Sequence, residues 1–182
     1  AIIGKAAGGT AEGAIIGAAV GGAAGAIIGN QMDKKAEELD KELENAEVER
    51  VGEGIKITFD GGLLFDFDSA ALRDRARTNL REFATRMQDF EDTRILVVGH
   101  TDAKGAADYN RDLSERRADA AAAVLLEQGV AADRIVSVGR GETEPVATNE
   151  TEAGRQKNRR VEVAIYANEE YRERVQAQTQ GR

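Results

Sequence analysis

Hydrophobic and polar residues follow the two periods of regular secondary structure between residues 53 and 99. Apolar side chains alternate with polar ones from Glu53 to Asp60, which predicts a strand with one buried side. From Ala70 to Gln88 apolar positions recur every three or four residues, which predicts a helix with one buried stripe. The apolar run Ile-Leu-Val-Val within residues 94–99 indicates a strand that is buried on both sides.

The next seventy residues continue this succession of helices and strands. A helix is predicted over residues 106–128, where it ends at a glycine, and a strand is predicted over residues 135–139. A short helix over residues 151–157 and a last strand over residues 160–166 complete the series. The order β-α-β-α-β-(α)-β predicts an α/β fold, an α+β sandwich in which helices pack on one face of a mixed sheet.

Glycine recurs at every fourth position in the first thirty residues. On a helix this spacing forms a stripe without side chains, against which another helix can pack closely, as in membrane-helix dimers. The pattern favours a glycine-zipper helix that associates with a membrane and can form homo-oligomers. Soluble helix packing and a flexible linker are the alternatives. The glycines that keep this spacing are Gly9, Gly13, Gly17, Gly21, Gly25 and Gly29.

Two polar segments flank the predicted sheet. Residues 31–50 combine many charged side chains with a narrow apolar stripe, which predicts a solvated spacer helix. Residues 168–182 are expected to form a loosely helical or disordered tail. The sequence therefore predicts four parts, which are a membrane-associated zipper (1–30), a charged spacer (31–50), a domain (51–167) and a polar tail (168–182).

Composition narrows the range of functions. The formal net charge of −8 argues against a nucleic-acid partner, because duplex binding requires clustered cations. The chain has no cysteine and a single histidine, His100, which excludes thiolate and multi-histidine metal sites. We find no motif of a catalytic nucleophile and no phosphate-binding glycine loop, so we expect neither catalysis nor a cofactor.

One arginine interrupts the apolar face of the helix predicted over residues 106–128. Arg117 shares this face with Leu113 and Ala121, and the face is expected to pack against the sheet. A buried guanidinium needs a carboxylate or several other acceptors. Asp102 follows the buried strand, in a loop where α/β folds commonly bind ligands. From spacing alone, Asp102 and Arg117 either pair with each other or bind a ligand.

A series of short motifs spans residues 96–165. It contains Val-Val-Gly-His-Thr-Asp (97–102), Leu113-Ser114, Arg116-Arg117-Ala118 and Asn158-Arg159-Arg160-Val161-Glu162-Val163. The series resembles the OmpA-like C-terminal domain, which holds bacterial envelope proteins to peptidoglycan, over about residues 52–166. The glycine zipper ahead of it resembles those of YiaD-type outer-membrane lipoproteins.

This resemblance implies a ligand and a pair of residues that bind it. In OmpA-like domains the Asp of the Thr-Asp loop and the Arg of the Leu-Ser-x-x-Arg helix hold diaminopimelate, the diamino acid of the peptidoglycan stem peptide. Both positions match here, as Asp102 and Arg117. The free end of the diaminopimelate side chain is a zwitterion, so an aspartate suits its ammonium group and an arginine fork suits its carboxylate.

The resemblance also suggests supporting positions. Thr101 and Asn110 either bind the ligand or hold the loop, and Leu113 forms a floor. Phe67 and Asp68 line the opposite side, unless Phe67 belongs to the core, and Arg160 corresponds to a family arginine near the site. The implied function is a non-enzymatic anchor between the outer membrane, contacted by residues 1–30, and peptidoglycan. The alternatives are a stator-like channel subunit of the MotB type and an accessory to a peptidoglycan-remodelling enzyme.

Overall fold

The computed structural model describes residues 10–181, and in this range the chain forms seven α-helices and five strands. The helices are α1 (Ala11–Gly17), α2 (Gly22–Glu42), α3 (Gly61–Leu64), α4 (Asp74–Gln88), α5 (Ala107–Glu127), α6 (Glu152–Asn158) and α7 (Glu169–Gln180). The strands are β1 (Ala46–Val51), β2 (Gly54–Asp60), β3 (Thr93–His100), β4 (Ile135–Gly139) and β5 (Arg160–Ala167).

The five strands form one mixed sheet in the order β1-β2-β5-β3-β4. Strands β3 and β4 are parallel and are connected through α5, whereas all other neighbours are antiparallel. The predicted α/β class and its mixed sheet are confirmed. Strand β3 lies between β5 and β4, so the loop that follows it opens at the end of a buried strand.

The main core lies between one face of the sheet and four helices, α2, α4, α5 and α7. Branched side chains alternate along β2 and β5 to fill this face, and the amphipathic stripes of the helices pack against it. Helix α5 contributes mainly alanines, which allow it to approach the sheet closely. Fully buried members of this core include Phe59, Phe83, Leu80, Ile57, Ile95, Leu125, Ile28, Met32 and Leu39.

The segment predicted as a solvated spacer helix is part of this core. Its helix ends at Glu42, where Leu43 takes up an extended conformation, and Ala46–Val51 forms an edge strand paired with β2. The predicted helix over residues 31–50 is therefore correct only as far as Glu42. The segment after Leu43 contains Ala46 and Val48 two residues apart, on one side of the strand, and its register is set by pairing with β2, which lies later in the chain.

The polar C-terminal segment is ordered as α7. The Asn168 side chain accepts a hydrogen bond from the backbone N–H of Tyr171 and caps the helix. Val175 is only 2% exposed because α7 packs against α2. The expectation of a loose tail missed this contact, since a single buried valine gives almost no periodic signal.

The described part of the predicted zipper consists of two helices, so a continuous helix through these glycines is not formed. Helix α1 ends at Gly17 and α2 begins at Gly22, and positive φ angles at Gly21 and Gly22 turn the chain between them. Residues 1–9, which include the first glycine of the series, lie outside the described residues. Within residues 10–181 no helix combines the length and apolar character needed to cross a membrane.

Helix α1 covers the second face of the sheet, opposite the main core. Ala11 and Ile15 are fully buried there, against side chains of β3 and β5 that include Leu96, Val98 and Ala164. Lys56 of β2 pairs with Glu12 of α1 at 2.6 Å. The prediction of helices on one face therefore holds for the four core helices, and α1 adds a layer on the other side.

Glu53 holds the turn between α1 and α2 against the β1–β2 hairpin. Its Oε1 accepts a hydrogen bond from Val20 N at 3.0 Å, and its Oε2 accepts one from Gly21 N at 2.9 Å. A Cβ atom on Gly25 would lie 2.8 Å from Glu53 Oε2, so a larger residue here would push the carboxylate out of its present position. Glycines of the repeat thus serve the docking of this segment on its own domain.

We expect Glu53→Ala to loosen this docked segment. Two backbone N–H groups lose a charged acceptor, so the free energy of unfolding should fall by about 1–2 kcal/mol, and amide exchange over residues 11–21 should accelerate. Urea unfolding followed by circular dichroism and hydrogen-exchange mass spectrometry measure the two effects. Glu47→Ala, on the exposed side of β1, is the control. Unchanged exchange in Glu53→Ala would show that the carboxylate does not hold the turn.

Candidate functional site

A cleft of about 580 Å³ opens beyond the carboxyl end of β3. Its walls are the loop after β3, the first half of α5, and the segment of residues 61–69 between β2 and α4. Seven of the eight residues expected at the site line it, which are Asp102, Arg117, Thr101, Asn110, Leu113, Phe67 and Asp68. The cleft also takes in Lys104, Tyr109, Glu152 and Arg159, which the sequence did not single out.

Close packing of α5 against β3 and β4 positions the cleft. A Cβ atom on Gly99 would lie 2.1 Å from the carbonyl oxygen of Ser114, and one on Gly139 would lie 2.3 Å from the backbone nitrogen of Glu115. Only glycine permits this approach. The Ser114 hydroxyl accepts a hydrogen bond from Gly141 N at 2.8 Å, which fixes the helix relative to the loop after β4.

Arg117 is buried in the cleft wall and is held by neutral groups. Its side chain donates from Nε to the carbonyl oxygen of Ser69 at 2.9 Å and from Nη2 to that of Asp66 at 3.5 Å. The guanidinium stacks on the Phe65 ring at 5.0 Å from the centroid. No carboxylate within residues 10–181 forms an ion pair with it.

The charge of Arg117 is therefore only weakly compensated. Burial lowers the pKa of Arg117, and the more distant charge of Asp68 partly opposes this effect. An arginine nevertheless stays cationic at neutral pH. The result is a fixed guanidinium, 7% exposed, that presents positive charge to the cleft.

Asp102 pairs with Arg159, whereas the sequence left pairing with Arg117 open. Its Oδ1 accepts a hydrogen bond from the backbone nitrogen of Lys104 at 2.9 Å, and its Oδ2 accepts one from Arg159 Nη1 at 2.6 Å. Each carboxylate oxygen can accept a further hydrogen bond. Asp102 and Arg117 thus offer opposite charges to one cleft without neutralising each other directly.

Thr101 and Asn110 hold the loop that carries Asp102. The amide nitrogen of Asn110 lies 2.9 Å from the carbonyl oxygen of Lys104 and 2.7 Å from Glu142 Oε2. The Thr101 hydroxyl donates to the carbonyl oxygen of Asp102 at 2.9 Å. Of the two roles that the sequence left open for these residues, loop holding has direct geometric support.

The opposite wall is a short rigid turn that carries Phe67 outward. Phe67 is 100% exposed, so the alternative that it belongs to the core is wrong. Asp68 adopts φ 54° and accepts a hydrogen bond from the Tyr109 hydroxyl, which raises the pKa of Tyr109. Asp66 pairs with Arg73 at 2.8 Å. These contacts fix the turn while leaving an aromatic ring at the rim of the cleft.

Arg160 lies outside the cleft, although we expected it at the site. It is 5% exposed and donates from Nε to Glu162 Oε1 at 2.7 Å and from Nη2 to the carbonyl oxygen of Glu144 at 2.9 Å. The preceding residue, Arg159, reaches the cleft in its place. The motif contains two adjacent arginines. Arg159 follows α6 and reaches the cleft, whereas Arg160 begins β5 and lies in a buried cluster, so the expected position of Arg160 in the cleft is not observed.

A buried polar cluster surrounds Arg160 on the second face of the sheet. His100 Nε2 lies 3.5 Å from Glu162 Oε2, and His100 Nδ1 lies 3.9 Å from Glu144 Oε2. Burial alone would raise the pKa of Glu162, but the proximity of His100 and the charge of Arg160 lower it to about 2. Within the described part of the chain, no group of three or more acidic or histidine side chains is arranged to hold a metal ion.

Comparison with family models identifies two regions of the chain. The model of the OmpA family matches residues 64–159, which is more than half of the chain. The match includes the loop after β3, α5 and most of the segment of residues 61–69. A model described as a glycine zipper matches residues 1–36.

Individual proteins show the same similarity. Outer membrane porin F of Pseudomonas fluorescens is 46% identical over 103 residues, covering 57% of this chain and 32% of that protein. The probable lipoprotein YiaD of Escherichia coli (strain K12) is 37% identical over 118 residues, covering 65% of this chain and 54% of that protein. The chain thus spans about a third to a half of these curated relatives.

A solved structure extends the similarity to the fold. The cell wall anchor of the T6SS from Pseudomonas aeruginosa is 33% identical and superposes with a TM-score of 0.65. The match covers 75% of this chain and 97% of that chain. The expected resemblance to OmpA-like and YiaD-type proteins is therefore confirmed.

The buried cluster predicts how stability depends on pH. Because the pKa of Glu162 falls from about 4.5 to about 2 on folding, its contribution is complete above pH 4.5 and is lost as the pH falls toward 2. This contribution is on the order of 3 kcal/mol. We expect Glu162→Gln to be less stable than the wild type at pH 7 and to lose less stability between pH 5 and pH 3.

Urea unfolding at both pH values, followed by circular dichroism, measures this difference. Glu150→Gln removes an exposed carboxylate and should keep the wild-type pH dependence. Equal losses of stability in the wild type and Glu162→Gln would contradict the assignment of the acid-sensitive contribution to Glu162.

Proposed function

Because the chain belongs to the OmpA family, we propose that its cleft binds the zwitterionic end of a diaminopimelate side chain in peptidoglycan. One observation carries the proposal, which is the buried guanidinium of Arg117 without a carboxylate partner in the described chain, in the same cleft as Asp102. A ligand carboxylate would supply the missing negative charge, and the ligand ammonium group would donate hydrogen bonds to the carboxylate oxygens of Asp102.

The geometry of Arg117 favours a planar anion. Nε and one Nη2 hydrogen are taken up by carbonyl oxygens, and Phe65 supports one face of the guanidinium. Nη1 has no partner among residues 10–181, so the outer edge of the fork remains for a ligand. A carboxylate can accept from this edge with little rearrangement, because the side chain is already ordered and desolvated.

We further propose a non-enzymatic anchoring role in the bacterial cell envelope. The similarity of the chain to a cell wall anchor and to an outer membrane porin supports this role. Peptidoglycan is a polymer, so weak binding at single stem peptides can be strengthened when many copies act on one sacculus. Such binding breaks no covalent bond, so it needs only side chains that pair with the charges of the ligand.

Residues 1–30 are the segment that we propose to contact outer-membrane lipid and to mediate self-association. The match of residues 1–36 to the glycine-zipper model supports this assignment. Ile15 and Ile28 are buried against the domain, so lipid contact from the described part must use outward side chains such as Ile16 and Ile27. A Cβ atom on Gly17 would meet no atom within 4 Å, which leaves a small-residue surface for a second helix.

We expect Arg117→Ala and Asp102→Ala each to weaken binding of a diaminopimelate-containing stem tripeptide by about 2–5 kcal/mol. The physical reason is that each change leaves a ligand charge unpaired in a partly desolvated cleft. Isothermal titration calorimetry with the full chain measures the loss.

The matched control is Arg116→Ala, one residue away on α5. Arg116 is a half-exposed cation that pairs with Asp112 at 2.8 Å, so its removal should leave the affinity unchanged. Circular dichroism and thermal unfolding establish that each variant is folded. A folded Arg117→Ala variant with wild-type affinity would reject the proposed site.

Lipid contact through the outward isoleucines is tested by vesicle flotation. The full chain should float with vesicles of phosphatidylethanolamine and phosphatidylglycerol, and Ile16→Asp with Ile27→Asp should reduce the bound fraction several-fold, because charged groups do not enter the interface. Val146→Asp changes an exposed apolar residue elsewhere and serves as control. Equal flotation of all three proteins would remove these side chains from the proposal.

A further inference from the structure

Arg159 forms an ion pair with Asp102, whose carboxylate is the group that a ligand ammonium would bind. Its Nη1 lies 2.6 Å from Asp102 Oδ2 and its Nη2 lies 2.6 Å from Glu152 Oε1, so one guanidinium bridges two acids across the cleft wall. The Asp102 side chain is 11% exposed, whereas that of Glu152 is 63% exposed. The contact with Asp102 is thus the more desolvated of the two and is expected to be the stronger.

The ion pairs of Arg159 with Asp102 and Glu152 are close, but a ligand can replace one of the partners. Burial by itself would lower the pKa of Arg159, yet its hydrogen bonds to Asp102 and Glu152 raise that pKa. The Arg159 side chain is 28% exposed and lies at the edge of the cleft, so it can turn toward Glu152 or toward a ligand without unfolding a strand.

Two guanidinium groups therefore face the same cleft. Arg117 and Arg159 both line it. Burial lowers the pKa of Arg117, and the charges of Arg116 and Arg159 lower that pKa further. A bound ammonium group would compete with Arg159 for Asp102 and would add a third positive charge. A ligand carboxylate would offset this repulsion by pairing with Arg117 and the displaced Arg159.

From this arrangement we infer that Arg159 is a specificity-determining residue, which makes the cleft select stem peptides that carry both an ammonium and a carboxylate group over those that carry an ammonium group alone. The inference rests on the proposed function and concerns the same cleft. Diaminopimelate-type and lysine-type stem peptides differ by this one carboxylate, so they form a minimal pair of ligands. Without Arg159, the ammonium of a lysine-type peptide would meet an open Asp102 and one cation fewer.

The test compares two synthetic stem tripeptides that are identical except for diaminopimelate or lysine at the third position. Affinities for the full-length wild type, Arg159→Gln and Arg155→Gln are measured by calorimetry. We expect the wild type to prefer the diaminopimelate peptide, and Arg159→Gln to reduce that preference roughly tenfold, mainly through tighter binding of the lysine peptide.

Arg155→Gln is the matched control. Arg155 also pairs with Glu152, at 3.0 Å, and carries the same charge, but it does not line the cleft or touch Asp102. Its removal should leave the preference unchanged. Arg159→Lys keeps the charge but cannot span both acids with one planar group, so it should give an intermediate preference and provides a second variant if Arg159→Gln does not fold.

The outcomes separate this inference from the proposed function. A wild type that binds the diaminopimelate peptide selectively, with the same preference in Arg159→Gln or Arg159→Lys, overturns the inference and leaves the proposed function standing. Equal changes in Arg159→Gln and Arg155→Gln also overturn it, because the effect would then be one of general charge. A wild type that binds neither peptide rejects the proposed function, and the inference falls with it.

Discussion

The architecture of the cleft depends on the burial of one guanidinium that lacks a carboxylate partner in residues 10–181. Placing Arg117 in this environment has a desolvation cost, which is only partly offset by two carbonyl oxygens and the face of Phe65. Those acceptors belong to the segment of residues 61–69, so the segment must be rigid. The pair Asp66–Arg73 and the contact between Asp68 and Tyr109 provide this rigidity. The positive charge of Arg117 is thereby held in a fixed position in the wall of the cleft, without a carboxylate partner in residues 10–181.

The sheet and α5 bring the complementary charge to the same place. Strand β3 ends at His100, two residues before Asp102, and α5 runs back over β3 and β4 with glycines at both crossing points. The separation between Asp102 and Arg117 is therefore determined by helix–sheet packing, which is among the least deformable parts of a fold. Arg159 then links Asp102 to Glu152, whereas Arg117 keeps no carboxylate partner within residues 10–181.

The relation between the N-terminal segment and the domain differs from that of an anchor on a flexible tether. Helix α2 contributes Ile28, Met32 and Leu39 to the main core, and α1 covers the second face of the sheet. The described part of the zipper is thus held at a fixed position relative to the cleft by Glu53, Lys56 and the core contacts. In an anchor of this kind, the reach between the two ends is set by helix packing, and a membrane contact would form at the outer surface of the folded unit.

Sequence patterns predicted the strands β2 to β5 and the helices α4, α5 and α6, because their periods reflect burial on the sheet, but not the short helix α3. Motif spacing predicted seven residues of the cleft for the same reason, since Asp102 follows β3 by two residues and Arg117 lies on α5. The ion-pair partner of Asp102 depends on the side-chain direction of Arg159, just before β5. A motif with two adjacent arginines does not say which of them reaches the cleft. The edge strand β1 and the docking of α1 depend on pairing partners elsewhere in the chain. The spacing of the glycines also could not show that Gly21 lies in a sharp turn and that Gly25 lies close to Glu53.

The most direct test of the account is a crystal structure of the full chain with a diaminopimelate-containing stem peptide. The carboxylate of the ligand side chain is expected to lie within hydrogen-bond distance of the Arg117 guanidinium. The ligand ammonium group is expected to contact the Asp102 carboxylate, with the backbone of the cleft walls unchanged. A ligand bound elsewhere, or one that reaches the cleft with its side-chain terminus turned away from Arg117, would contradict the central claim.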